Sequence, residues 1–173
     1  MIRNEELIKK YPWKITWDRR AKMIGELILE LKLYYYNYSL LDIGGGIGNL
    51  YNFILTKDYT SIDLEAWTDK TVVCDLNKEY PTLKKFDVVV AQGIIEYIKE
   101  PKQFLENIKR YGDKLVITYR LNLDTRVVMD RNSLSFEEFE GLLKQTNWEI
   151  IKKVVIYKLE NIYYVVDRAK KEE

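Results

Sequence analysis

Apolar residues recur along this chain with two periods, one of helices and one of strands, and the two take turns from end to end. Ile24, Leu27, Ile28 and Leu31 stand at i, i+3, i+4 and i+7, the stripe of an amphipathic helix that Thr16 or Asp18 can cap. The tyrosine-rich tract from Tyr34 to Tyr38 packs the end of that helix and leads into a first strand, Ser39 to Ile43. Leu50, Phe53 and Ile54 predict a first crossover helix, followed by short strands at Tyr59 to Asp63 and Thr71 to Asp75. Phe86 to Ala91 is the near-continuous apolar run of a strand buried on both faces of a parallel sheet. Pro101 opens a helix with Phe104, Leu105, Ile108 and Tyr111 on one face, Gly112 stops it, and Lys114 to Tyr119 is a fifth strand. Ser135 and Glu138 have the spacing of a capping box, with Leu134 and Phe139 as its hydrophobic staple. Glu149 to Tyr157 and Asn161 to Asp167 are joined by too short a link for a parallel crossover, so they form an antiparallel pair. The sum is an α/β, doubly wound, seven-stranded and mainly parallel sheet with a C-terminal antiparallel hairpin. Residues 1–173 read as a single domain in which 1–37 form an N-terminal helical cap, with no internal repeat or low-complexity tract.

The densest chemistry lies between the first strand and its crossover, in Leu40-Leu41-Asp42-Ile43-Gly44-Gly45-Gly46-Ile47-Gly48-Asn49-Leu50. Glycine is needed where the backbone takes a positive φ or where a ligand approaches the main chain too closely for a Cβ. A strand, a glycine-rich turn and a helix form the nucleotide-binding corner of a doubly wound fold, with the ligand at the carboxyl ends of the strands. The dinucleotide pattern G-x-G-x-x-G requires glycine at 49, where this chain has Asn49. Asp42 at the strand end would also repel a pyrophosphate, and suits a ligand carrying a cation there. An NAD-binding oxidoreductase is therefore disfavoured. A Walker A loop is excluded, because no Gly-Lys-Ser/Thr follows at the required spacing.

Composition narrows the chemistry further. The chain has no histidine and one cysteine, Cys74, which removes Ser-His-Asp hydrolysis, histidine general bases and the usual zinc ligands, so no metal site is expected. Twenty-eight basic and twenty-seven acidic residues leave a formal charge of +1, which supports no extended nucleic-acid surface. The lone cysteine, a charged N-terminus and the lack of a long apolar run lead to the expectation of a cytoplasmic protein without a membrane span.

The set Asp42-x-Gly44-x-Gly46-x-Gly48 closely resembles motif I of the class I S-adenosylmethionine (SAM)-dependent methyltransferases, and the seven-stranded architecture expected above matches their fold. The resemblance covers about residues 18 to 167. It implies SAM as cofactor and S-adenosylhomocysteine (SAH) as product, with Asp42, Gly44, Gly46 and Gly48 forming the glycine loop. Asp63, 21 residues after Asp42, would accept hydrogen bonds from the two ribose hydroxyls, with Leu64 beside it. Asp75 or Leu76 would meet adenine, the acid taking the exocyclic amine. Gln92, after the fourth strand, would face the methionine part of the cofactor. Tyr97 stands where the family often has histidine. The family's N-P-P-Y motif and its Pro-Cys pair are absent, which argues against nucleic-acid bases as acceptors.

Methyl transfer from a sulfonium is a direct displacement, so the protein supplies alignment and sometimes a base. Glu96 and Tyr119 are the candidates for that base. Trp13, Trp17, Tyr97, Arg120 and Arg126 are candidates for the substrate side, the tryptophans as a short lid and the arginines facing an acidic or polyhydroxylated acceptor. The expected function is transfer of a methyl group to an O or N atom of a small molecule or saccharide. The alternative is a non-catalytic SAM- or nucleoside-binding module that regulates or activates a partner. The sequence does not address oligomeric state.

Overall fold

The computed structural model describes residues 1–10, 18–31, 37–120, 134–156 and 161–169. A seven-stranded sheet organises them. In chain order its strands are β1 (Ser39–Ile43), β2 (Asp58–Asp63), β3 (Thr71–Val73), β4 (Val88–Ala91), β5 (Lys114–Arg120), β6 (Trp148–Ile156) and β7 (Asn161–Arg168). Their spatial order is β3-β2-β1-β4-β5-β7-β6. β1 to β5 are mutually parallel, whereas β7 runs antiparallel to both β5 and β6. The register aligns Val72, Ile62, Ile43, Ala91 and Ile117, so Val73 and Asp63 stand one residue further out at the carboxyl edge. Successive strands are added outward in one direction from β1 to β3 and in the other from β4 onward, so β1 and β4 flank the switch point where doubly wound folds open a crevice.

Helices cover both faces. α1 (Glu5–Lys10) is a short N-terminal turn, and α2 (Asp18–Glu30) lays Ala21, Ile24, Leu27 and Ile28 on Leu40, Val88, Val90 and Val116. α3 (Pro101–Asn107) and α4 (Phe136–Gln145) bury Phe104, Leu105, Phe139 and Leu143 on the opposite face, against Leu41, Val89, Leu115 and Ile117. β1 and β4 are buried throughout, as a strand covered on both faces must be. The capping box of α4 forms as expected: Glu138 N–H donates to Ser135 Oγ (3.1 Å) and Ser135 N–H to Glu138 Oε2 (2.6 Å). Among the described residues no helix is long and apolar enough to cross a membrane.

Two elements differ from the sequence expectation. The first crossover is a five-residue 3-10 segment, Asn49–Phe53, rather than an α-helix. The chain has no room to continue it, because Thr56 Oγ1 donates to Tyr38 O and pulls the backbone to the start of β1. Gly25 of α2 lets this segment pack closely, since a Cβ there would lie 2.5 Å from Phe53 O. The third strand stops at Val73, two residues before Asp75. Cys74 N–H still donates to Asp63 O, after which Asp75 O accepts from Lys78 and Glu79 N–H and closes a turn.

Candidate functional site

The carboxyl edge of the sheet carries the glycine turn at its centre. Gly44, Gly46 and Gly48 have φ of 74°, 51° and 73°, the left-handed region in which a side chain is strained. Gly46 is the most telling, because a Cβ built on it meets no atom of the described residues within 4 Å. Packing does not require glycine there. At Gly46 the buried turn leaves space beside its backbone, a cradle that a ligand can enter.

Asp63, at the end of β2, faces this cradle and is tied to it. Its Oδ2 accepts from Gly46 N–H (2.9 Å), and its Oδ1 from Leu64 N–H (2.8 Å) and the Trp67 indole Nε1–H (3.0 Å). The Leu64 side chain beside it is 65% exposed, while Trp67 is buried. Residues 1–4 strap the loop that carries Trp67. Arg3 bridges to Thr68, Asn4 N–H donates to Trp67 O (2.7 Å), and Asp69 N–H donates to Ile2 O (3.0 Å).

Asp42 lies beneath the turn rather than on its surface, which differs from the expectation that it meets a cation directly. It is fully buried, its Oδ2 accepts from Tyr59 O–H (2.8 Å), and its Oδ1 has no partner among the described residues. Burial pushes its carboxyl up to about 7. The Tyr59 hydrogen bond opposes that rise and the nearby Asp63 charge adds to it. Burial and the Asp42 charge in turn push the Tyr59 phenol well above its usual range.

Asp75 and Leu76 sit on the loop after β3. Asp75 Oδ1 accepts from Asn77 N–H (3.1 Å) and Oδ2 pairs with Lys78 (3.0 Å); these contacts, the Lys78 bond first, hold the carboxyl below its usual range. The Leu76 side chain is turned into the core. Asn77 then staples this loop to the segment after β4, donating to Tyr97 O (3.1 Å) and accepting from Lys99 N–H (2.8 Å).

The segment after β4 holds Gln92, whose Oε1 is buried and accepts no hydrogen bond from the described residues. A Cβ on Gly44 would lie 3.7 Å from Gln92 O, so Gln92 adjoins the turn. Gly93 N–H donates to Thr118 Oγ1 (2.8 Å). A Cβ on Gly93 would lie 2.3 Å from Arg20 Nη1, which places the guanidinium from the first turn of α2 directly over the edge.

The two candidate bases are brought near one another, and each makes a hydrogen bond to the main chain. Glu96, 6% exposed, accepts from Arg120 N–H (2.8 Å) and so caps the end of β5. Tyr119 is turned into the core, stacked on Phe139 with ring centroids 4.8 Å apart, and its hydroxyl donates to Leu134 O (2.7 Å). Burial pushes that phenol up to about 12, with the Glu96 charge adding to the rise. Tyr119 therefore does not sit as a base facing the edge. Tyr97 is half exposed, and Arg120, whose N–H bonds the neighbouring Glu96, is exposed. Trp13, Trp17 and Arg126 lie outside the described residues.

Four residues escaped the sequence reading: Arg20, Tyr59, Trp67 and Asn77. Arg20 stands in the first turn of a helix whose start overlies the sheet edge, a position that the expected topology contains. Trp67 and Asn77 act through loop geometry that has no periodic signature.

No protein-family model matches the chain, and no curated protein matches it significantly. Solved structures do match. An S-adenosylmethionine-dependent methyltransferase from Clostridium acetobutylicum is 15% identical with a TM-score of 0.68, covering 96% of this chain and 98% of that one. The 1,6-didemethyltoxoflavin-N1-methyltransferase of Burkholderia thailandensis, with bound 1,6-didemethyltoxoflavin and SAH, is 17% identical with a TM-score of 0.67, covering 94% and 83%. The pyocyanin biosynthetic protein PhzM is 19% identical with a TM-score of 0.59, covering 77% of this chain and 51% of PhzM, about half its length. At these identities the likeness is one of architecture, and with the strand order and the glycine turn it gives one conclusion. The chain has the fold of the class I SAM-dependent methyltransferases.

Proposed function

We propose that this protein binds SAM at the glycine turn and transfers its methyl group to an O or N atom of a small molecule or saccharide. The observation that supports the reading is the hydrogen bond from Gly46 N–H to Asp63 Oδ2, which sets a carboxylate beside the space at Gly46. The remaining groups fit the same ligand. Gln92 Oε1 is a buried acceptor in need of a donor, which an ammonium supplies, and Arg20 offers a cation to a carboxylate. A dinucleotide fits less well. Its pyrophosphate wants a helix N-terminus, and the five-residue segment at Asn49–Phe53 offers little dipole.

Bound SAM supplies an electrophilic methyl on a sulfonium. The protein's own residues align and enclose. Asp63 and the Gly44 to Gly48 turn fix the nucleoside, Asp75 and the main chain at Leu76 meet the adenine, and Leu64 covers one side. Gln92 and Arg20 hold the amino-acid end, while Asp42 supports the turn from below. Tyr97 and Arg120 stand at the open edge, on the acceptor's side. The Burkholderia neighbour, holding a small heteroaromatic compound and SAH, supports a small-molecule acceptor. Glu96 and Tyr119 orient the end of β5 rather than abstract a proton, so the reading favours an acceptor that is nucleophilic without a strong base.

The engagement of the Tyr119 hydroxyl with Leu134 O and of Glu96 Oε1 with Arg120 N–H favours a second reading, a SAM-binding module without catalysis. A screen of small-molecule and saccharide acceptors, following release of homocysteine from SAH by a coupling hydrolase, separates the two. Acceptor-dependent release supports transfer. Binding of SAH with no release across the library supports the module.

A further inference from the structure

We infer that Asp63 reads a single ribose hydroxyl, because Trp67 occupies the acceptor position that the second hydroxyl would use. The inference rests on the nucleoside reading above and departs from the sequence expectation that Asp63 takes both hydroxyls. A carboxylate offers about four in-plane lone-pair positions, two on each oxygen. Among the described residues three donors already reach Asp63: Leu64 N–H and Trp67 Nε1–H on Oδ1, and Gly46 N–H on Oδ2. One position remains, on Oδ2, the oxygen that faces the glycine turn.

The Trp67 bond does not yield easily to a ligand. The indole is 1% exposed, so breaking the bond would strand a buried donor. Trp67 N–H donates to Glu65 O (2.8 Å), and the strap of residues 1–4 holds its carbonyl through Asn4 N–H. Leu64 N–H belongs to the same residue pair as the carboxylate and moves with it. Trp67 is thus a positioning residue that turns Asp63 and sets which hydroxyl is recognised.

Calorimetric titration of the full chain with SAH, 2′-deoxy-SAH and 3′-deoxy-SAH tests this. In the wild type one deoxy analogue binds about tenfold or more weakly, and the other stays within about threefold of SAH. In Trp67→Phe, which empties the second position on Oδ1, the loss spreads to both analogues. Equal losses for the two analogues in the wild type, no loss for either, or an unchanged ratio in Trp67→Phe would overturn the inference. Wild-type protein that binds none of the three ligands removes the nucleoside reading and the inference with it. A measurement that needs no variant stands beside this one. The Trp67 indole N–H resonance stays slow to exchange with solvent when SAH saturates the protein, and its release into fast exchange would overturn the inference equally.

Discussion

Replacing Gly46 by alanine separates the cost of strain from the cost of a blocked site. Its φ of 51° makes any side chain strained, at about 1–2 kcal/mol. The new methyl meets no atom of the described residues within 4 Å, so they add no packing penalty. Gly46→Ala should therefore stay folded and lose about 1–2 kcal/mol, or roughly 2–4 °C in Tm per kcal/mol for a chain of this size. The ligand is affected differently. The methyl projects from the residue whose N–H bonds Asp63 Oδ2, so it stands between the ribose and the remaining acceptor position. A hydrogen bond to a charged group is worth about 1.5–3 kcal/mol, so SAH affinity should fall roughly 10- to 150-fold. Gly45→Ala is the control. Its Cβ would lie 2.8 Å from Ser61 Cβ and 3.1 Å from Asp42 Oδ2, so it overpacks the fold, at about 1–3 kcal/mol, without entering the cradle. Urea unfolding and calorimetry on both variants give the comparison. Wild-type SAH affinity in folded Gly46→Ala, or an equal affinity loss in Gly45→Ala, would refute the placement of the ligand on this turn.

Three further outcomes follow from the same geometry. Asp63→Ala strands the buried Trp67 indole N–H, costing about 1–3 kcal/mol of stability, and weakens SAH by about tenfold or more; urea unfolding and calorimetry check both. Asp42 gives a pH signature. Between about pH 4 and pH 7 the folded state keeps a proton on it that the unfolded chain releases, so its stabilisation is present at low pH and is lost as pH approaches 7. At about 1.36 kcal/mol per pH unit this is on the order of 4 kcal/mol, and Asp42→Asn should gain stability relative to wild type by that order across the interval. Parallel curves of unfolding free energy against pH for the two proteins would contradict it. Ser135→Ala breaks the capping box and should cost about 1 kcal/mol in urea unfolding, with SAH affinity unchanged.

Much of the architecture was legible because its signals are local. The apolar runs of β1 and β4, the Ser135–Glu138 box and the short link between β6 and β7 each constrain their own segment. The glycine spacing with Asp42 and Asp63 pointed to the candidate site for the same reason. What the sequence hid depends on contacts between distant segments. Tyr119 alternates onto the face covered by α4, so its hydroxyl meets Leu134 O, which no strand periodicity reveals. Asp75 follows β3 rather than ending it, because the turn closed by Lys78 and Glu79 begins there. Trp67 reads as a loop aromatic until the loop is seen strapped by residues 1–4 against Asp63. Arg20 reads as one charge among many until α2 is seen to start over Gly93.

The central claim is that the turn from Gly44 to Gly48 holds a sulfur-containing adenosine ligand and not a dinucleotide. Isothermal titration of the wild-type chain with SAH and, in parallel, with NAD tests it most directly. The geometry predicts saturable binding of one SAH per chain and no measurable heat with NAD. Binding of NAD, or no binding of either SAH or SAM, would contradict it.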